Sequence, residues 1–154
     1  MEFIYLDAAA TTPPHTDVIE EVKRIQLEYW GNPSSIHKLG VSASDILERS
    51  RYSIASRLNS SSEDIIFTSG ASESNDLAIR AITNSVKKGR VVISAVEHPS
   101  VKNTVTQLRE LGWEVLYWPV DNKGVVKIDI INEILSPPTK FVSLIWGQSE
   151  IGTI

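Results

Sequence analysis

Apolar residues recur at helical spacing in four long segments of the chain. The first segment can be capped by Thr16 and ended by Gly31, residue types that favour the starts and ends of helices. Its apolar face is formed by Val18, Val22, Ile25 and Tyr29. The second segment, roughly 37–58, has an inward face formed by Ala43, Leu47, Ile54 and Leu58. Both segments predict amphipathic helices, joined by the turn-forming sequence NPSSIH.

The other two helical segments carry signals at their ends. The third, ASESNDLAIRAITNSVKKG, has Glu73 in its first turn, Lys87 and Lys88 in its last turn, and Gly89 just after. This order of charges complements the helix dipole. The fourth, HPSVKNTVTQLRELG, has Pro99 at the first helical position, which proline favours. Its apolar face is formed by Val101, Val105 and Leu108.

Four short apolar runs separate the helices and predict strands. They are DIIFTSG, RVVISA, WEVLYWPV and FVSLIW, the last covering 141–146 after a short predicted helix near 128–135. Strands that alternate with helices of about 10–15 residues indicate βαβ units and a mostly parallel sheet. Because the strands are apolar on both faces, we expect helices on both sides of the sheet. The pattern therefore predicts a doubly wound α/β fold.

Composition and charge narrow the classes of function. The 154 residues suffice for one domain with a substantial core. The net charge is −4 and Lys and Arg form no stripe, so we expect no nucleic-acid partner and no membrane partner. The sequence has no cysteine, no signal-peptide pattern and no apolar run of membrane-spanning length. We expect a cytoplasmic protein and predict no metal site.

The candidate chemistry lies where predicted strands end, because open parallel sheets bind ligands beyond the carboxyl ends of their strands. After the first strand, Gly70 permits a tight turn, and the N–H groups of Ala71 and Ser72 begin a helix that suits a phosphate. After the second strand, His98 offers a flat ring for stacking. After the fourth, Gln148 and Ser149 can hydrogen-bond a ligand oxygen. Alone, each is more simply an ordinary helix cap, surface histidine or polar turn.

The three signals gain weight because they fall on one edge of one predicted sheet. A phosphate-binding helix start, a stacking ring and a turn that binds a hydroxyl would together suit a flat phosphorylated ligand. Pyridoxal phosphate, which combines an aromatic ring, a phosphate and a phenolic oxygen, has these features. The sequence therefore favours pyridoxal phosphate as the cofactor.

Six stretches in order along the chain carry a family resemblance. They are YLDAAATT, GNPSSIH, FTSGASESN, VEHPSV, VDNKGVVKID and VSLIWGQSEIGTI. With these motifs the chain resembles the N-terminal part of the cysteine desulfurases, which are class V, fold-type I pyridoxal-phosphate enzymes. The resemblance implies an enzyme that takes sulfur from L-cysteine, leaves alanine, and passes an enzyme persulfide to iron–sulfur cluster or thio-cofactor synthesis. It also implies a homodimer and a sulfur-acceptor protein as partners.

The resemblance assigns roles to five residues of this sequence. It implies that Gly70, Ala71 and Ser72 bind the cofactor phosphate, that His98 stacks on the pyridine ring, and that Ser149 meets the ring hydroxyl. Ser149 stands where the family has a longer asparagine. A second departure is an alanine in LDAAATT, where the family motif has an amide. Both departures predict weaker binding of the cofactor or a divergent branch of the family.

The resemblance also identifies functional residues that have no counterpart in this sequence. These are the lysine that forms the Schiff base, the aspartate that pairs with the pyridine nitrogen, and the cysteine that accepts sulfur. We therefore predict no catalytic residue within the 154 residues, no stable binding of pyridoxal phosphate by them alone, and completion by a C-terminal portion in cis or in trans.

The same comparison gives a domain prediction. Residues 1–14 form an N-terminal segment, and residues 15–154 form the N-terminal part of the large cofactor-binding domain, without its later strands and the small C-terminal domain. The family's strand order places DIIFTS at a sheet edge, separated from FVSLIW by strands that this sequence does not contain. Two alternatives stay open: a non-catalytic or regulatory binding module derived from the family, and a class V enzyme with another substrate, such as a selenocysteine lyase or an aminotransferase.

Overall fold

The structure is a computed structural model and describes residues 4–154. It divides into two compact units, Met1–Phe67 and Thr68–Ile154, which are described separately. Across residues 4–154, no helix combines the length and the apolar character needed to cross a membrane. The predicted division into residues 1–14 and 15–154 stays a prediction.

The first unit contains two helices, α1 (Thr16–Glu28) and α2 (Lys38–Leu58), followed by a short 3₁₀ helix, Ser62–Asp64. The predicted cap at Thr16 is wrong by one residue. The backbone of His15 is extended, and its Nδ1 accepts a hydrogen bond from the Asp17 amide at 3.3 Å, so Thr16 is already helical. The helix also ends earlier than predicted, with Tyr29 as its C-cap.

The predicted inward faces of these helices are only partly buried. No residue of α1 is fully buried, and Val18 and Val22 are exposed. On α2, Ala43 is buried as predicted, but Ile54 and Leu58 are exposed and Ala55 is buried instead. The two predicted helices are therefore confirmed, but their predicted inward faces only in part, because the described residues cover only part of each apolar face.

The segment DIIFTSG is not a strand, which corrects the prediction. Ile65 has extended backbone angles, but residues 65–67 pair with no strand within the described part of the chain. Instead, the Arg51 guanidinium donates a hydrogen bond to the Ile65 carbonyl oxygen and lies 4.8 Å from the centroid of the Phe67 ring. Apolar, extended backbone becomes a strand only when a neighbouring strand supplies the ladder.

The second unit has the predicted alternation of helices and strands. Its elements in chain order are α3 (Ala71–Ser85), β1 (Arg90–Ser94), α4 (Pro99–Glu110), β2 (Glu114–Trp118), a 3₁₀ helix (Ile128–Ile130), α5 (Ile131–Ile134) and β3 (Thr139–Ser143). The three strands form one sheet in the order β2-β1-β3, and both pairings are parallel. The prediction of an α/β fold with a parallel sheet is confirmed.

The central strand β1 is buried on both faces. On one face, Val91 and Ile93 pack in a cluster with residues of α3 and α4, namely Ile79, Val101, Val105 and Leu108. On the other face, Val92 packs against Trp118 and Ile134 of α5. Helices thus cover both sides of β1, as expected for a strand that is apolar throughout. The core of this unit fixes the carboxyl ends of the strands, where the candidate site lies.

The ends of two elements differ from prediction. Helix α3 stops at Ser85, so Lys87 and Lys88 follow it, and the Lys88 ammonium donates to the Leu111 carbonyl oxygen at the end of α4 at 2.6 Å. Strand β3 ends at Ser143 and not at Trp146, whose side chain is 86% exposed. The reason is that, within residues 4–154, β3 pairs only with β1, and the ladder ends where Ile93 pairs with Ser143.

Candidate cofactor site at the carboxyl edge of the sheet

The start of α3 offers free backbone donors. Gly70 is the N-cap, and the first intrahelical bond runs from the Ser74 amide to the Gly70 carbonyl oxygen at 3.1 Å. The amides of Ala71 and Ser72 therefore have no partner within the helix. Gly70 itself has φ 160° and ψ 178° and lies in a bend at residues 69–70 that leads into the helix. A Cβ at Gly70 would meet no atom within 4 Å, which leaves open space beside the helix start.

A carboxylate also lies at this helix start. Glu73 Oε2 accepts hydrogen bonds from the Ser69 amide at 2.6 Å and from the Ser69 hydroxyl at 2.7 Å. The hydroxyl and then the amide of Ser69 hold the pKa of the Glu73 carboxyl below its ordinary value. The carboxylate therefore stays charged at neutral pH. A phosphate at this helix start would meet neutral donors together with one negative charge.

His98 is the N-cap of α4, and its Nδ1 contacts both the backbone amide and the hydroxyl of Ser100. Its Nδ1 accepts from the Ser100 amide at 3.1 Å and lies 2.8 Å from the Ser100 hydroxyl oxygen. That hydroxyl oxygen accepts in turn from the Asn75 side-chain amide at 2.8 Å. Because Asn75 lies in the second turn of α3, this chain of hydrogen bonds connects the helix that follows Gly70 to the histidine.

A pocket of about 460 Å³ opens at the carboxyl edge of the sheet and brings two predicted site residues together. His98 lines it from the start of α4, and Ser149 lines it from the turn after β3. The predicted phosphate-binding residues Gly70, Ala71 and Ser72 do not line this pocket. Other lining residues include Val96, Glu97, Lys102, Ile145, Gln148 and Glu150.

One of the two predicted ligand-binding side chains in the turn after β3 is hydrogen-bonded to the backbone of that turn. Gln148 Oε1 accepts from the amides of Glu150 at 2.6 Å and Ile151 at 2.8 Å, so this oxygen closes the turn. The Ser149 hydroxyl is exposed and has no hydrogen-bond partner within residues 4–154. The Ser149 hydroxyl is therefore free to bind a ligand, and its role in binding the cofactor stays a prediction.

The sequence did not predict that Glu97 and Lys102 line this pocket. Glu97 is only 5% exposed, and its Oε1 lies 3.3 Å from the Ser94 hydroxyl and 3.4 Å from the Ser143 hydroxyl. It thereby connects the ends of β1 and β3. Lys102 lines the pocket from the first turns of α4. The available signal was the run EHPSVK, which places both charges within four residues of His98.

The donors of this unit fit the chemistry of pyridoxal phosphate in part. The amides at the start of α3 and the Ser72 hydroxyl suit a phosphate, the His98 ring suits a planar ring, and Ser149 suits a ring oxygen. The open space beside Gly70 permits close approach to the backbone. The negative charge of Glu73 and the exposure of every phosphate donor indicate that the cradle is incomplete within the described residues.

The chain belongs to the aminotransferase class-V family, which it matches over residues 4–154. Within that family it is similar to cysteine desulfurases. It is 41% identical to cysteine desulfurase IscS of Dictyoglomus turgidum over 153 residues, covering 98% of this chain and 39% of the relative. It is 40% identical to cysteine desulfurase IscS 1 of Archaeoglobus fulgidus over 152 residues, covering 97% of this chain and 40% of the relative.

Solved structures agree with this placement. A NifS-like protein superposes with a TM-score of 0.90 at 33% identity, covering 98% of this chain and 42% of its own. The protein SspA in complex with cysteine superposes with a TM-score of 0.86 at 33% identity, covering 97% and 44%. The fold is therefore that of a partial fold-type I enzyme of the NifS type. The chain spans about two fifths of the length of these relatives and corresponds to their N-terminal portion.

Proposed function

We propose that this chain forms the N-terminal part of a pyridoxal-phosphate-dependent cysteine desulfurase, which removes sulfur from L-cysteine and leaves alanine and an enzyme persulfide. The observation that carries the proposal is the pocket at the carboxyl edge of the sheet, which both His98 and Ser149 line. The similarity to cysteine desulfurases supports the reaction class. A related structure that holds cysteine supports the substrate class.

Each site residue has a proposed task in binding. The amides of Ala71 and Ser72 and the Ser72 hydroxyl donate to the cofactor phosphate, with Gly70 leaving room for it. The His98 ring stacks on the pyridine ring and holds it against the pocket. Ser149 donates to the ring hydroxyl, and its short side chain makes this the weakest of the three contacts. When bound, pyridoxal phosphate supplies the electron sink for bond cleavage at the substrate amino acid.

The remaining chemistry requires groups that this sequence does not contain. The sequence has no cysteine to accept sulfur, and the family's Schiff-base lysine has no counterpart here. We propose that a C-terminal portion, in cis or in trans, supplies both groups and completes the phosphate cradle. The assembled enzyme would be a cytoplasmic homodimer that passes sulfur to an acceptor protein for iron–sulfur cluster or thio-cofactor synthesis.

Reconstitution tests the proposal. The 154-residue chain is combined with the C-terminal portion of the Dictyoglomus turgidum relative and pyridoxal phosphate, and two quantities are measured: cofactor retained after gel filtration and alanine formed from L-cysteine. We expect both signals from the mixture and neither from this chain alone. Folded, associated portions that retain no cofactor would overturn the proposal. L-Selenocysteine in place of L-cysteine distinguishes a selenocysteine lyase.

Substitutions at Ser149 sharpen the test. Ser149→Asn restores the family's longer amide and should raise cofactor retention by about threefold to tenfold, the effect of one ordinary hydrogen bond. Ser149→Ala removes the donor and should lower it. Ser85→Asn, at an exposed serine that ends α3, is the matched control and should leave retention unchanged.

One observation favours a second candidate, a non-catalytic binding module. The helix start that would bind phosphate already holds the Glu73 carboxylate, and its donors are exposed. In this case the chain would regulate a full-length relative instead of completing one. A folded chain that ignores pyridoxal phosphate but associates with an intact desulfurase in sedimentation experiments would favour this candidate.

A further inference from the structure

All three histidines of the sequence, His15, His37 and His98, are N-caps of helices, and each accepts a backbone N–H bond through Nδ1. The distances are 3.3 Å for His15, 3.4 Å for His37 and 3.1 Å for His98. His98 differs in having a hydroxyl at hydrogen-bond distance from the same nitrogen, with the Ser100 oxygen at 2.8 Å, whereas the second polar atom near His15 Nδ1 is an Asp17 carboxylate oxygen at 3.6 Å. This second contact needs an explanation beyond helix capping.

The direction of the second hydrogen bond follows from the Ser100 backbone amide, because a ring nitrogen that accepts from this N–H has no proton to donate to the hydroxyl. The Asn75 side-chain amide donates to the Ser100 hydroxyl oxygen at 2.8 Å, so that oxygen already accepts one hydrogen bond. The single proton of the hydroxyl is then free to point to His98 Nδ1. Nδ1 thus faces two donors, the amide and the hydroxyl of Ser100, and must itself be unprotonated in the neutral ring.

We infer that Asn75 and Ser100 are positioning residues that fix the tautomer of His98, with the proton on Nε2. Because Nδ1 faces the first turn of α4, Nε2 lies on the opposite side of a ring that lines the pocket. The neutral ring therefore presents an N–H donor, and a ligand group that meets this atom must accept a hydrogen bond, as a carboxylate oxygen does. The inference deepens the proposed function, on which it rests for the assignment of the ring to a cofactor pocket.

The tautomer can be measured on the 154-residue chain without cofactor. Two-bond ¹H–¹⁵N correlation spectra of ¹⁵N-histidine-labelled protein report which ring nitrogen carries the proton. They are recorded at about pH 8.5, roughly two units above the ordinary histidine pKa of about 6.5. We expect Nδ1 of His98 at the shift of an acceptor nitrogen and Nε2 at that of a protonated one. Protonation mainly at Nδ1 would overturn the inference.

Variants distinguish the effect of the Asn75–Ser100–His98 hydrogen bonds from ordinary helix capping. Ser100→Ala removes the hydroxyl and should lower the ratio of the Nε2–H to the Nδ1–H form by about fivefold, the effect of one ordinary hydrogen bond. Ser100→Thr keeps the hydroxyl and should retain the wild-type ratio. Asn75→Asp turns the partner into an acceptor, which draws the Ser100 proton away from His98 and should lower the ratio. An unchanged ratio in both Ser100→Ala and Asn75→Asp would overturn the inference.

Two controls accompany these variants. Asn103→Asp adds the same charge at an exposed position of α4 and should leave the ratio of His98 unchanged. His15 and His37, which lack the hydroxyl contact, serve as internal references whose spectra should not respond to changes at Ser100. Since no cofactor is present, this test is independent of reconstitution. If the proton is found on Nε2 but the reconstituted protein retains no cofactor, the proposed function is contradicted and the role of Asn75 and Ser100 is not.

Discussion

At the scale of single residues, Glu97 is a buried carboxylate that lines the pocket. Its carboxylate lies against the hydroxyls of Ser94 and Ser143, at the ends of two neighbouring strands. Glu97→Ala should lower the free energy of unfolding by about 1–3 kcal/mol, because two poorly solvated hydroxyls lose their acceptor. Glu97→Gln keeps an acceptor oxygen and should cost less. Urea unfolding followed by circular dichroism measures both.

The control for Glu97 is Glu110→Ala, at the exposed end of α4. Exposed substitutions of this kind usually change stability by less than about 0.5 kcal/mol. If Glu97→Ala and Glu110→Ala lowered the free energy of unfolding equally, the hydrogen bonds of Glu97 to Ser94 and Ser143 would not stabilise the protein.

We expect the Asp121 carboxylate to contribute to the loss of stability of the folded chain at low pH. This carboxylate accepts from the amides of Val125 at 3.0 Å and Lys123 at 2.8 Å. These bonds, the Val125 amide first, lower the pKa of Asp121 from its ordinary 3.8. The folded state thus binds this proton less readily than the unfolded state. The stabilisation is complete above the ordinary pKa and is lost as pH falls through the lower folded value.

Asp121→Asn should therefore flatten the fall in Tm between about pH 5 and about pH 2, the range over which such a carboxylate titrates. Thermal melts at several pH values measure the slope. Asp129→Asn is the charge-matched control, because the Asp129 carboxylate is exposed and accepts no hydrogen bond within residues 4–154. A slope that changes equally in both variants would contradict the role of the turn.

Residue types at strand ends predicted where the pocket lies but not how each side chain is used there. His98 and Ser149 line one pocket, as their positions after parallel strands indicated. The oxygen of Gln148 closes its own turn, and Gly70 adopts an extended conformation. Neither fact is visible in sequence, because the competition between a ligand and a nearby backbone amide depends on the geometry of the turn.

At the scale of elements, α4 offers a matched pair of leucines. Leu108 is 2% exposed and packs in the cluster against β1, whereas Leu111 is 54% exposed at the C-cap of the same helix. Leu108→Ala should lower the free energy of unfolding by about 2–5 kcal/mol through lost burial and a cavity. Leu111→Ala should cost less than about 1 kcal/mol. Chemical unfolding of both variants checks the orientation of α4.

Helices were predicted more accurately than strands, and β3 shows why. The existence of each helix follows from local periodicity, and on α4 the predicted face is also correct, since Val101, Val105 and Leu108 are buried. The apolar run from Phe141 to Trp146 predicts a strand that ends three residues later than the observed one, whose ladder with β1 ends at Ser143. The length of a strand depends on its partner, which lies far away in the sequence.

At the scale of the whole molecule, the alternation of elements sufficed to predict a parallel α/β sheet, and the six motifs placed the chain in its family. The extent of the sheet did not follow from the pattern. Among the described residues the sheet has three strands, and the run DIIFTSG lies outside it. Apolar composition reports that a segment needs burial, but not which neighbour provides it.

The edge formed by β3 predicts self-association of the chain when it is studied alone. Within the described sheet, β3 pairs on one side only, and the residues that follow it include Leu144 and the highly exposed Trp146. An apolar edge with unpaired backbone groups is a template for pairing with another strand.

We expect weight-average mass in sedimentation equilibrium to rise with concentration. Leu144→Lys combined with Trp146→Lys should weaken association at least about tenfold, since each apolar side chain contributes about 1.5–3 kcal/mol when buried. Ile36→Lys, at a side chain that is 98% exposed in the first unit, is the control for added charge. If Ile36→Lys weakened association as much as the double variant, net charge and not the edge of β3 would govern it.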